Sequence, residues 1–266
     1  MPDASHISDI PTLALPNGGA MPALGLGTWQ LRGQTCEAAV RTALDLGYRH
    51  IDTAEMYGNE AEVGQALADS GVPREHVFIT TKVWPDHFRA TALQKAAADS
   101  LARLRTDYVD LLLLHWPSRD VPLEETVPAL AEVAERGQAR AIGVSNFSIE
   151  QLRHASRLTR VPIANNQVEL HVLQPQAALV EHARAHGLTV TAYSPLAKGR
   201  LTDDPVLSRI AAQHGKTAAQ VALRWLVQQG VAVIPKATRE PNLRANAQIF
   251  DFALSPADLQ QLASLA

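Results

Sequence analysis

The chain has 266 residues, enough for one large domain or two small ones, and its 24 Lys and Arg nearly balance 27 Asp and Glu. Without a long run of one charge sign it offers no basic surface for nucleic acid or for a polybasic membrane contact. The single Cys36 excludes an internal disulfide and a CxxC metal site, no apolar run approaches the roughly 20 residues of a membrane span, and the acidic N-terminal MPDASHISDIP does not read as a leader, so the expected location is cytoplasmic.

In chain order, the first element is a hairpin. The stretch "LALPNGGAMPAL" places apolar arms on both sides of Pro16-Asn17-Gly18-Gly19, a strong turn sequence. Apolar strand patterns follow at 24–28, 48–52, 77–82, 109–115, 141–144, 163–168, 189–193 and 231–235, with helical patterns between them. The stretch "TALQKAAADSLARLR" repeats Leu93, Ala97, Leu101 and Leu104 at helical spacing. Gly47, Gly137, Gly187 and Gly230 fall just past helices, where a left-handed residue ends the last turn. Cys36 sits in an Ala-rich helix as a small packing residue.

Eight strand–helix units, each of roughly 30 residues, predict an α/β chain of the (β/α)₈ TIM-barrel type with the hairpin as an N-terminal cap. The open doubly wound sheet is the alternative. The widest interval precedes the last strand and leaves room for an extra helix around 204–214. No Pro-, Gly- or Ser-rich linker breaks the series, so residues 1–266 read as a single domain.

In such a barrel the strand C-termini meet at one mouth, which carries the active site. They deliver Asp52, Lys82, His115, Ser145-Asn146, Gln167, Tyr193-Ser194 and Lys236, with Tyr57 just beyond Asp52. An Asp at a strand end is more commonly a helix cap, and Lys82 or His115 alone would be an ordinary rim residue. Four such groups on neighbouring strands share a chemical logic. A phenol titrates near pH 10 and is a poor acid at neutral pH. An adjacent Lys⁺ stabilises the phenolate and is expected to lower that pKa, and a carboxylate keeps the Lys charged. His115 then orients a carbonyl oxygen toward the phenol. This set polarises and protonates C=O; the Gly-x-Ser-x-Gly elbow of an esterase is absent.

Trp29, Trp84 and Trp116 follow strand ends and are expected to wall a pocket for a small carbonyl compound, whereas Trp225 lies in a helix and reads as core. Asp86, His87 and Arg119 occupy the same loops, as specificity residues or as solvated surface.

The stretches "GYRHIDTAEMYGNEAEVGQAL", "ITTKVW", "DLLLLHWPS", "IGVSNF", "NNQVEL" and "YSPLAKG" resemble the aldo-keto reductase superfamily, over residues 20 to about 260. With "SGVPREHVFITTKVW" and "LRTDYVDLLLLHWPS" the chain is similar to its bacterial 2,5-diketo-D-gluconate reductase branch, B type, which also reduces methylglyoxal. The resemblance implies an NADPH-dependent reductase, with relatives often monomeric. It makes Tyr57 the general acid, Lys82 its tuner, Asp52 the partner of Lys82 and His115 the orienter of the substrate carbonyl. Ser145, Asn146 and Gln167 would bind the nicotinamide carboxamide, Tyr193 would stack on its ring, and Ser194 and Leu196 would line the pyrophosphate path. Thr28 and Asp52 join these cofactor contacts. Lys236, Thr238 and Arg239 would meet the adenosine 2′-phosphate, with Asn246 near the adenine. Two positions depart from many relatives: Ala237 stands for Ser, and Asn242 for an Arg. Many relatives also continue beyond the position of Ala266 into a loop over the substrate.

Two other readings compete. A cofactor-binding regulatory barrel with only residual turnover, like the superfamily's potassium-channel β-subunits, conflicts with the intact Tyr57, Lys82 and His115. A metal-dependent barrel hydrolase would need a His-x-His on its first strand, which reads "LGLGTW" here, so no metal is expected.

Overall fold

The computed structural model describes residues 10–201 and 203–265, so most of the N-terminal stretch read above lies outside them. The hairpin pairs β1 (Thr12–Ala14) with β2 (Ala20–Pro22). The Asn17 side chain accepts from the Gly19 N–H and donates to the Arg140 carbonyl at 2.7 Å, which ties the turn to the barrel.

Eight parallel strands follow: β3 (Leu26–Gly27), β4 (His50–Asp52), β5 (Phe78–Val83), β6 (Val109–Leu114), β7 (Ala139–Ser145), β8 (Ile163–Glu169), β9 (Thr189–Tyr193) and β10 (Val231–Val233). They pair in chain order, and a parallel bridge from Leu24 to Val233 closes the sheet into a barrel. The closing bonds are Gly25 N–H to Val233 O at 2.8 Å and Val233 N–H to Ala23 O at 2.9 Å. Strands covered on both faces carry apolar side chains in both directions, which is why they read as continuous apolar runs. β10 stops two residues short of its sequence expectation, because Pro235 has no N–H to extend the ladder.

Helices alternate with the strands: α1 (Gly33–Asp45), α2 (Glu60–Asp69), α3 (Ala90–Leu104), α4 (Leu123–Glu135), α5 (Ile149–Arg157) and α6 (Ala177–Ala185). The expected extra helix is α7 (Pro205–His214), and the Asp204 side chain caps it by accepting from the Val206 and Leu207 N–H groups. α8 (Ala218–Gln228), α9 (Glu240–Ala247) and α10 (Pro256–Ala263) complete the chain. Sequence reading missed α10, although Ser255 and Asp258 form a capping box at its start. Among the described residues no helix is long and apolar enough to cross a membrane.

One apolar layer lies between the helices and the barrel, where α3 buries Leu93, Ala97, Leu101 and Leu104 as its spacing predicts. A second fills the barrel itself: Phe78, Leu111, Leu113, Ala141, Ala164 and Ala232 pack with Leu15 and Met21 of the hairpin. Met21 thus plugs the N-terminal end. Above it lies a polar layer, with His50 Nε2 at 3.1 Å from Thr80 Oγ1 and Asn165 donating to Thr189 and Thr191 at 2.9 Å each. A Cβ at Gly143 would lie 2.6 Å from the Asn165 carbonyl oxygen, so the interior leaves no room there for a side chain. Filled from below, the barrel keeps its usable opening at the strand C-termini.

Candidate active site

Asp52 ends β4, and Lys82 lies one residue before the end of β5; both side chains are almost wholly buried. The three hydrogens of the Lys82 ammonium are each assigned. Nζ donates to Asp52 Oδ1 at 2.5 Å, to the Thr53 carbonyl at 2.9 Å and to the Tyr57 hydroxyl oxygen at 3.3 Å. The other Asp52 oxygen accepts from Gln167 Nε2 at 2.7 Å, so the carboxylate links the lysine to β8.

Tyr57 reaches this point because the chain leaves β4 through a short 3₁₀ turn, Glu55–Tyr57, closed by Gly58 at φ 63°. Asn59 anchors the turn from behind. Its Oδ1 accepts from Thr53 at 2.7 Å and its Nδ2 donates to the Thr28 and Leu31 carbonyls at 2.9 and 3.0 Å. An acid and a phenol five residues apart therefore meet across the lysine of the neighbouring strand.

Burial opposes the Lys82 charge, but Asp52 and Tyr57 beside it outweigh that and hold its pKa above the ordinary lysine value. Tyr57 departs from the sequence expectation. Burial acts first and raises the phenol; the Lys82 charge pulls it down only in part, Asp52 adds to the rise, and the net shift is upward. The resting phenol therefore keeps its proton.

His115 follows β6, its N–H bonded to the Val83 carbonyl at 3.0 Å. Its ring meets Tyr57 edge-on at 5.6 Å and Trp84 edge-on at 5.1 Å, and Nδ1 is buried without a hydrogen-bond partner. Burial, then the Lys82 charge, pushes its pKa down to about 3, so the imidazole is neutral at pH 7.

These groups open into a cleft of about 810 Å³. Near Tyr57 and His115 it is walled by Trp29, Met56 and Trp116, the exposed large apolar side chains among the described residues. Trp84 is not among the lining residues; its ring buttresses His115 instead. Further along, Ser145, Asn146 and Gln167 line the cleft. Asn146, held at φ 64°, donates to the His115 carbonyl at 3.2 Å and accepts from the Tyr193 hydroxyl at 2.9 Å. Ser145 Oγ donates to the Gln167 carbonyl at 2.8 Å.

Tyr193, Ser194 and Leu196 also line the cleft, in a loop where Ser194, Ala197 and Lys198 all have positive φ. Lys198 lines it too and escaped sequence reading, as did Gln30, Met56 and Glu169. Lys236 stands at the rim, its Nζ donating to Gln30 Oε1 at 3.0 Å. Thr238 and Arg239 are exposed just before α9, and Asn246 is buried on it; none of the three lines the cleft. Thr28 lies beneath, its hydroxyl bonded to the Asp52 carbonyl at 3.0 Å.

Residues 23–266 match the Aldo/keto reductase family. The chain belongs to that family. It is an oxidoreductase acting on carbonyl groups. It is 45% identical over 248 residues to a methylglyoxal reductase, DkgB, of Salmonella typhimurium, covering 92% of this chain and 93% of that one. An aldo-keto reductase of Mycolicibacterium smegmatis is 44% identical over 256 residues, 96% of this chain and 93% of its own. A crystal structure assigned as a 2,5-diketo-D-gluconic acid reductase B superposes with a TM-score of 0.91 at 49% identity, covering 96% of this chain and 92% of the other. The silkworm, Bombyx mori, aldo-keto reductase in complex with NADPH gives 0.92 at 38% identity, covering 97% and 88%. Within the reductase, the Asp52–Lys82–Tyr57 chain delivers one O–H to the cleft beside a neutral imidazole. That arrangement can hold and protonate a carbonyl oxygen.

Proposed function

We propose that this reductase uses NADPH to reduce small aldehydes, ketones and α-dicarbonyls, of the methylglyoxal or 2,5-diketo-D-gluconate kind, with Tyr57 as the general acid. The observation that carries the proposal is the full use of the Lys82 ammonium. Since one of its N–H groups points at the phenol oxygen, Tyr57 accepts from Lys82 and keeps its own O–H for the cleft. Tyr57 then donates that proton to the carbonyl oxygen, and Lys82 stabilises the phenolate left behind. Asp52 keeps Lys82 charged and in place, while neutral His115 helps orient the oxygen without competing for the proton. Trp29 and Trp116 restrict water and fit a small organic substrate.

The cleft suits a dinucleotide in its donor chemistry. Gln167 spends its Nε2 on Asp52, which leaves Oε1 to accept from the nicotinamide carboxamide, beside Ser145 and Asn146. The half-buried Tyr193 ring offers a stacking face. At the rim Lys236 donates to the neutral Gln30 amide, lies over the Trp29 ring at 6.0 Å and enters no ion pair among the described residues, so its charge remains available to a 2′-phosphate, with Thr238 and Arg239 at the start of α9 alongside. Bound there, NADPH would supply the hydride. The relatives' names, a methylglyoxal reductase and a 2,5-diketo-D-gluconic acid reductase, point to small dicarbonyl compounds as the substrate class.

The test is NADPH consumption with methylglyoxal, with and without a chelator. Chelator-resistant turnover is expected. No consumption above the no-enzyme rate across methylglyoxal, 2,5-diketo-D-gluconate and nitrobenzaldehyde would favour a regulatory role for the barrel.

A further inference from the structure

Glu55 lies two residues before Tyr57 in the turn after β4, and nothing in the chemistry above uses it. Its carboxylate is nine-tenths buried. Oε1 accepts a short hydrogen bond from the Trp84 backbone N–H, and the two oxygens lie 3.1 and 3.2 Å from His87 Nδ1. One side chain thereby ties the loop that carries Tyr57 to the loop that carries Trp84. Both loops converge on the same ring, because Tyr57 and Trp84 each meet His115 edge-on, at 5.6 and 5.1 Å. A carboxylate this far from water is costly unless donors satisfy it, and charge-assisted bonds to fixed donors hold geometry tightly.

Resting on the carbonyl-reductase reading, we propose that Glu55 is a positioning residue of the reaction. It touches neither the cleft nor the reacting atoms. Instead it sets the register between the Tyr57 turn and the Trp84 loop, so that phenol and imidazole converge on one carbonyl oxygen. Small misplacements of such a pair are expensive: about 1 Å can lower a rate about 100-fold.

The contact that matters is an acceptor for the Trp84 N–H, which separates two replacements. Glu55→Gln keeps an acceptor oxygen on a side chain of the same length; Glu55→Leu has none. Glu55→Leu is expected to lower kcat by roughly 10- to 100-fold with the NADPH dissociation constant changed less than about twofold. Glu55→Gln should retain kcat within about threefold. Amide hydrogen exchange at Trp84 gives an independent readout: slow in the wild type and in Glu55→Gln, fast in Glu55→Leu. A folded Glu55→Leu with wild-type kcat would overturn the proposal, as would equal losses in the two variants. Fast Trp84 exchange in the wild type would overturn it even if Glu55→Leu does not fold. A wild type that reduces no carbonyl compound would instead defeat the functional reading and leave the Trp84 exchange result standing.

Discussion

Lys82 Nζ stands 3.3 Å from the Tyr57 hydroxyl while its other two hydrogens are held by Asp52 and the Thr53 carbonyl. The ammonium has no freedom to turn away from the phenol, so its effect on the acid is built in. The buried ion pair with Asp52 serves this orientation; its contribution to stability is secondary, since both charges are removed from water.

Lys82→Met should therefore strip the developing phenolate of its one close cation. The expected loss in kcat is about 10²-fold or more, comparable to the loss of the acid itself. The alkaline limb of the wild-type rate profile should lie above the ordinary tyrosine pKa near 10, because burial raises Tyr57 further than Lys82 lowers it. Steady-state rates measured from neutral to alkaline pH check both statements, and an unchanged kcat in Lys82→Met would contradict the first.

His115 carries a prediction about acid stability. Burial holds its folded pKa at about 3, below the ordinary value of 6.5, and burial lowers His50 and His171 as well. Between those two values the unfolded chain takes up a proton at His115 that the folded chain refuses, so stability falls as pH drops from 6.5 toward 3. The urea midpoint should decline between about pH 7 and pH 5, and decline less steeply in His115→Leu. Equal slopes in both proteins would show that His115 titrates normally.

Most of the barrel was legible because most strands are buried, largely apolar runs with a polar residue at or just past the C-terminal end. The clustering of Asp52, Lys82 and His115 follows from those ends, and Tyr57 joins them from the turn just beyond Asp52. What escaped depends on barrel closure, which joins residues far apart in the chain. Gln167 reaches Asp52 from β8, and Lys236 crosses to Gln30 near the other end of the sequence. No local pattern announces such pairs. The direction of a loop side chain is equally hidden, so Trp84 reads as a pocket wall and is found behind His115. The sign of the Tyr57 shift was missed for a third reason: sequence shows the charge beside the phenol but not the burial around it.

The rim cations give the next expectation. Lys236 and Arg239 enter no ion pair among the described residues, whereas nearby Arg244 is paired with Glu240 at 2.8 Å. If the first two meet the 2′-phosphate, NADPH should be preferred over NADH on the order of 30- to 150-fold, and by less at high salt. Lys236→Ala with Arg239→Ala should collapse that preference by weakening NADPH while leaving NADH nearly unchanged. Titration of both cofactors by intrinsic Trp fluorescence at low and high salt checks this, and equal dissociation constants in the wild type would contradict it.

Carbonyl reduction at this site turns on one proton, and Tyr57→Phe removes it while keeping the ring that packs on His115. The deciding measurement is kcat for methylglyoxal reduction by Tyr57→Phe, alongside its NADPH dissociation constant. A loss of about 10²–10⁴ in kcat with near-normal cofactor binding is the predicted result. Retention of more than about a tenth of the wild-type kcat would contradict the assignment of Tyr57 as the acid.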